Sequence, residues 1–183
     1  MMKIKTKTIT SLAVLAAISI LLVTLIHFPI FPAVGFLEYD PADIPIFIGT
    51  FAFGPVAGIA VTAIAAVIQG LTVSAASGII GIIMHIFATG SFVLVAGNIY
   101  RKNKTRKGAV IALLAGVGTM TAAMILWNIL FTPLYMGVER EVVIGLLPFI
   151  IGFNLIKAGI NAGITFLLYK HIGKLFKLEK NKK

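Results

Sequence analysis

Residues 145–169 read Gly145-Leu-Leu-Pro-Phe-Ile-Ile-Gly-Phe-Asn154-Leu-Ile-Lys157-Ala-Gly-Ile-Asn161-Ala-Gly-Ile-Thr-Phe-Leu-Leu-Tyr169, an apolar run with a single charge near its middle. At ~1.5 Å per helical residue, such a run is long enough to cross the ~30 Å hydrocarbon core of a bilayer. An ammonium group at that depth costs roughly 3 kcal/mol or several times that, so it faces a protected interior or a water-filled cavity, with a partner or a ligand. Asn154 and Asn161 stand three residues before and four residues after Lys157, on the same helical face. No other Lys or Arg interrupts an apolar segment. The run therefore predicts a membrane protein with a polar site in its core.

The composition agrees. The chain has 183 residues, 59% hydrophobic and 12% charged, with a mean hydropathy of +1.05. A soluble domain of this length cannot hide so much apolar surface, and lipid must solvate it. The net charge of +10 would suit nucleic acid, but the placement of the charges argues against that partner. Fourteen of the sixteen Lys and Arg fall in three clusters: Lys3, Lys5 and Lys7; Arg101 to Lys107; and Lys170 to Lys183. Each cluster flanks an apolar segment, as the positive-inside rule describes. The absence of cysteine excludes a disulfide framework, a thiolate metal site and a cysteine nucleophile.

Six apolar segments follow, at 8–28, 42–54, 55–73, 79–100, 108–132 and 146–171, within a single membrane domain spanning 1–183. The fold class expected is all-α integral membrane: a six-transmembrane-helix bundle with a gating loop between helices 1 and 2. The second segment is too short to cross a bilayer alone, so the loop before it is expected to dip inward. Gly54-Pro55 marks a sharp turn, with the proline placed to begin the third helix. The first segment has the charge pattern of a signal peptide, but Ala33-Val34-Gly35, with Phe31 and Pro32 beside it, is a poor cleavage site. It is retained as a first transmembrane helix.

Six crossings with a cytoplasmic N-terminus place Arg101 to Lys107 and the C-terminus in the cytoplasm too. The outer loops then hold Glu38, Asp40, Asp43, Glu139 and Glu141, five of the six acids. Charge asymmetry and crossing parity point the same way. Small residues four apart, as at Ala13/Ala17, Gly54/Gly58 and Gly159/Gly163, let helix backbones approach closely, in ordinary packing within the bundle or against a partner. Ala13/Ala17 lies on a terminal helix, where a partner can dock. The tripeptide Ala-Gly-Ile recurs at 57–59 and 158–160, a weak hint of a three-helix repeat.

The polar residues set apart by this pattern are few. Lys157 donates only, whereas Asn128, Asn154 and Asn161 both donate and accept. Together they suit a ligand that presents carbonyl oxygens and ring nitrogens at one edge, or else they bond neighbouring helices and stabilise the bundle. In the first loop, Phe36, Leu37 and Tyr39 are placed to cover a flat ring, and Glu38 to pair with Lys157 or accept from the ligand. Asp43 is a candidate cap for the second helix. His27, His85 and His171 lie in different segments and show no metal-ligand spacing; a core hydrogen bond is the expected role of His85. There is no phosphate-binding G-x-x-x-x-G-K-[ST] loop, so uphill transport would draw on an ion gradient or on another polypeptide.

Several stretches resemble a known family. Leu37-Glu-Tyr-Asp-Pro-Ala-Asp-Ile-Pro45, Phe53-Gly-Pro-Val-Ala-Gly-Ile-Ala-Val61, Asn128 followed by Pro133, Pro148-Phe149 and Phe153-Asn-Leu-Ile-Lys157 are similar to the riboflavin-specific S components of energy-coupling factor (ECF) transporters, over residues 8 to 172. The resemblance implies a non-enzymatic subunit, without a cofactor, that captures riboflavin from outside the cell membrane. It implies that Asn128, Asn154 and Lys157 hydrogen-bond the vitamin, and that the first loop gates the site through Phe36, Leu37, Glu38 and Tyr39. It also implies docking through Ala13 and Ala17 to a transmembrane coupling subunit driven by two cytosolic ATPases. The three residues between Pro148-Phe149 and Phe153-Asn154 depart from a tighter family arrangement. Two alternatives remain open at this stage: an S component for another vitamin, and a proton-coupled secondary transporter using Lys157. An intramembrane enzyme ranks last, because the helices hold no paired carboxylates, zinc ligands or nucleophile-base pair.

Overall fold

The computed structural model describes residues 6–178, with Lys3, Lys5 and the tail from Glu179 to Lys183 outside the described residues. Its helices are α1 (Thr6–Leu25), α2 (Asp43–Phe53), α3 (Pro55–Leu71), α4 (Gly78–Lys102), α5 (Arg106–Met136) and α6 (Arg140–Leu178). Two short strands, β1 (Phe28–Pro29) and β2 (Glu38–Tyr39), pair antiparallel in the loop between α1 and α2. Four helical segments are long and apolar enough to cross a membrane: those of α1, α4, α5 and α6. The other two, α2 and α3, have 11 and 17 residues.

The shortest of these helices is the most enclosed. Every residue of α2 from Asp43 to Phe51 is buried, as befits a helix that is apolar on all sides. It packs against α1, α3, α4 and α6. Phe47 stacks on Phe92 of α4 with ring centroids 3.7 Å apart, and Phe51 on Tyr100 at 4.1 Å. Because residues 47 and 51 meet 92 and 100 in that order, α2 and α4 run parallel.

The chain reverses between α2 and α3. Gly54 adopts φ 98°, a left-handed conformation that residues with a Cβ rarely take, and Pro55 opens α3 at once. The reversal brings α3 against both α2 and α4. A Cβ at Gly58 would collide with Thr50 Oγ1 and lie 2.6 Å from Val93 Cγ1. This contact needs a glycine, so Gly58 packs inside the bundle, whereas a Cβ at Gly54 would meet nothing within 4 Å and that glycine serves the turn. Gly159 and Gly163 instead face open space, and Gly159 is exposed where Gly58 is buried. The two Ala-Gly-Ile tripeptides thus occupy unlike environments, and the repeat they suggested has no counterpart in packing.

The last helix begins at Arg140, earlier than the apolar run alone indicates, and continues through Pro148. Its first turns serve the loop between α1 and α2. Val34, Leu37 and Tyr39 bury themselves against Val143, Ile150 and Phe153 of α6 in a core of their own. The loop is therefore a packed cap on one end of the bundle. The basic connection between α4 and α5 lies at the other end.

Candidate functional site

Beneath that cap is a cavity of about 370 Å³, lined by the loop, the ends of α1 and α3, the first half of α4, and faces of α5 and α6. Its volume falls in the usual range for small-molecule sites, roughly 300–1,000 Å³. Phe36, Leu37, Met84, Met120, Met124 and Phe153 give it apolar walls, and Asn154 and Lys157 reach it from α6.

The polar groups at the α6 wall form one connected network. Lys157 Nζ donates to Asp40 Oδ2 at 2.7 Å and to the Glu38 carbonyl at 3.4 Å. Asp40 is only 4% exposed, and its other oxygen accepts from the Ala42 backbone N–H at 3.0 Å. Asn161 Nδ2 donates to the Asp40 carbonyl at 3.0 Å and to Asp43 Oδ2 at 3.5 Å. Its Oδ1 accepts from the Tyr39 hydroxyl at 3.2 Å. Burial, with the Asp40 carboxylate beside it, raises the Tyr39 phenol above its ordinary value, so the hydroxyl stays protonated and donates. The loop exit, Glu38 to Asp43, is thereby fastened to α6.

Asp43 extends the network to α4. Its Oδ1 accepts from Thr89 Oγ1 at 2.8 Å and lies 3.6 Å from His85 Nε2. The expected helix cap is not formed: α2 starts after Ala42 with no side-chain cap hydrogen bond, and the Asp43 carboxylate points across the bundle. The expected pairing of Glu38 with Lys157 is also corrected. Asp40 supplies the carboxylate, while Glu38 offers only its backbone carbonyl and keeps its side chain exposed.

Of the residues singled out in the sequence, Phe36, Leu37, Glu38, Asn154 and Lys157 line the cavity, and Tyr39 and Asn128 do not. Asn128 is fully buried. Its amide donates to the Met124 carbonyl at 2.8 Å and accepts from Thr132 Oγ1 at 2.9 Å. Asn154 donates to its own helix at Ile150, also at 2.8 Å. Ala13 and Ala17 are exposed on α1, among the exposed Val14, Ile18 and Leu21. The reading from sequence missed Asp40 as the partner of Lys157 and Asp43 as the bridge to α4. Their one signal was that both are acids in the mainly apolar stretch that leads into α2.

The family described as "ECF transporter, substrate-specific component" matches residues 7–169. This chain belongs to that family. The S component is 32% identical to the riboflavin transporter FmnP of Bacillus subtilis over 178 residues, 90% of each chain. It is 29% identical to the riboflavin transporter RibU of Staphylococcus aureus, over 93% of each. A solved structure described as the S component of a bacterial ECF transporter superposes with a TM-score of 0.77 at 32% identity. That likeness covers 93% of this chain and 98% of the other.

Proposed function

We propose that this S component binds riboflavin in the capped cavity and delivers it inward through an ATP-driven ECF partner module. The observation that carries the reading is the cavity itself: apolar walls with Lys157 and Asn154 at one edge, in a chain whose relatives are riboflavin transporters. Isoalloxazine is flat and largely apolar, with carbonyl oxygens and ring nitrogens along one side. An ammonium and an amide at the edge of an apolar slot complement that ring. No catalysis is assigned to the chain.

In this reading the α1–α2 loop is the gate. Binding requires Asn154 to turn from Ile150 toward the ligand and Lys157 to share its donors between Asp40 and the ring. Asn128 and Tyr39 sit one layer behind the cavity, and reach the ligand only if their present hydrogen bonds exchange. The six helices make six crossings, with α2 and α3 as the short pair, and both termini are cytoplasmic. Ala13 and Ala17, on the exposed face of α1, meet a transmembrane coupling subunit, and two cytosolic ATPases supply the work.

The test is a riboflavin titration of the purified S component in detergent, followed by flavin fluorescence and calorimetry. Saturable one-to-one binding is expected. Asn154→Ala and Lys157→Ala should each weaken it by about tenfold or more, the cost of losing a hydrogen bond to a buried polar edge. Folded protein that neither binds riboflavin nor copurifies with a flavin would remove the vitamin from the account.

A further inference from the structure

One part of the cavity wall is made of thioethers. Met84 comes from α4, and Met120 and Met124 come from one face of α5, a turn apart. The chain has six methionines and no cysteine, so half of its sulfur lines this single cavity. Met120 and Met124 are 4% and 3% exposed and belong to the main hydrophobic core, and Met84 is half-buried against it. Met136, in the last turn of α5, is 39% exposed and does not line the cavity. Met1 and Met2 lie outside the described residues.

Burial shields a methionine from oxidants in the solvent, since oxidation follows exposure. That protection fails when the oxidant is made inside the cavity. An isoalloxazine ring absorbs blue light, and its excited state hands the energy to dioxygen, which becomes singlet oxygen at the ring. Singlet oxygen adds to a thioether sulfur and forms an S–O bond. Water then resolves the adduct, so that thioether, dioxygen and water become sulfoxide and hydrogen peroxide. The sulfur loses two electrons, dioxygen gains them, the two protons of the water leave in the peroxide, and the flavin returns to its ground state unchanged. Soft, polarizable thioethers in the cavity wall are the sulfur groups within immediate reach of such a reaction.

We propose that Met84, Met120 and Met124 form a photo-oxidation site, at which a bound flavin, light and dioxygen convert the cavity thioethers to methionine sulfoxide and so close the cavity to further ligand. The inference rests on the riboflavin reading, because it needs a flavin in the cavity. Oxidation turns a flexible apolar side chain into a polar one. At Met120 and Met124 the new sulfoxide oxygen stands in the hydrophobic core, where a polar group without a hydrogen bond is costly. The ligand then meets a polar wall where its apolar ring needs an apolar one. Methionine sulfoxide reductases restore the thioether, one enzyme for each sulfoxide epimer, so the loss is reversible.

The test illuminates the full-length protein in detergent, in air, with riboflavin at a one-to-one ratio, and follows each methionine by peptide mass spectrometry. Met84, Met120 and Met124 should gain oxygen before the exposed Met136. A sulfonated porphyrin too large for the cavity, illuminated with ligand-free protein, should reverse that order. After oxidation, calorimetry should show riboflavin affinity weakened by about tenfold or more, and treatment with both sulfoxide reductases should restore it. The combined variant Met84→Leu, Met120→Leu and Met124→Leu, a swap of similar volume, should show the same affinity before and after illumination. The order of oxidation in the wild-type protein decides the matter even if that variant fails to fold. Met136 ahead of the cavity methionines in the riboflavin complex, equal oxidation in the dark, affinity unchanged by oxidation, or a light-driven loss in the leucine variant would overturn the photo-oxidation site alone. Wild-type protein that fails to bind riboflavin in the dark would overturn the functional reading, and the site with it.

Discussion

Lys157 and Asp40 show why one charge in an apolar run carries so much information. Once buried, neither is tolerable without the other: the carboxylate is 6% exposed and the ammonium side chain 14%, with 2.7 Å between them. Removing one partner strands a charge in a low-dielectric interior, whereas replacing both by apolar or neutral groups of similar size removes the problem along with the attraction. Lys157→Met and Asp40→Asn should therefore each destabilise the ligand-free protein by about 3 kcal/mol. The double variant should cost clearly less than the sum, because the two sites share one interaction. Thermal unfolding in detergent of the four proteins in this cycle measures the coupling, and additive losses would mean that the pair is not a unit. Lys157 was legible in the sequence because an ammonium in the middle of a membrane-length run has no ordinary explanation. Asp40 was not, because a carboxylate in a loop reads as solvated, and its contact with Lys157 spans 117 residues.

At the scale of elements, apolar length made the helices visible and concealed their ranking. The 11-residue α2 is too short to cross a bilayer alone, yet it is the enclosed axis on which α1, α3, α4 and α6 pack. No periodicity announces that role, since an element buried on all faces has no polar stripe to orient it. The start of α6 at Arg140 was hidden for a related reason: its first turns hold charged residues and face the loop, so they do not read as a membrane segment. Glycine spacing was equally ambiguous. Gly58 sits where a side chain would strike Thr50 and Val93, while Gly159 and Gly163 face nothing within 4 Å. Gly58→Val should accordingly destabilise the bundle by about 1–3 kcal/mol through overpacking. Gly159→Ala and Gly163→Ala should leave the thermal midpoint of the isolated S component unchanged. Equal losses at the three positions would show that the contact with Thr50 and Val93 is not what makes Gly58 necessary.

At the scale of the whole molecule, the proposed direction in the membrane rests on which end carries which charge. Helix pairs fix the alternation: α2 runs parallel to α4, and Asp43 and Phe51 meet Asn161 and Tyr169 in order, so α6 runs the same way. Ser19 meets Ala42, and Leu15 meets Gly49, so α1 runs against α2. Hence the capping loop, the α3–α4 connection and the α5–α6 connection share one end, and the α4–α5 connection lies at the other. The latter holds Arg101, Lys102, Lys104, Arg106 and Lys107, and the former holds Glu38, Glu139 and Glu141. Lys and Arg near helix ends are retained on the cytoplasmic side, so the proposed function expects the cavity to face outward, toward a nutrient arriving from the medium. The chain contains no cysteine, so single-cysteine variants read this orientation without background. Glu139→Cys, exposed between α5 and α6, should react with a membrane-impermeant maleimide on intact cells. Lys104→Cys, exposed between α4 and α5, should react only after the membrane is opened. The reverse pattern would point the cavity into the cytoplasm, where a high-affinity site would serve export or storage, and the uptake reading would fail even if riboflavin bound as expected.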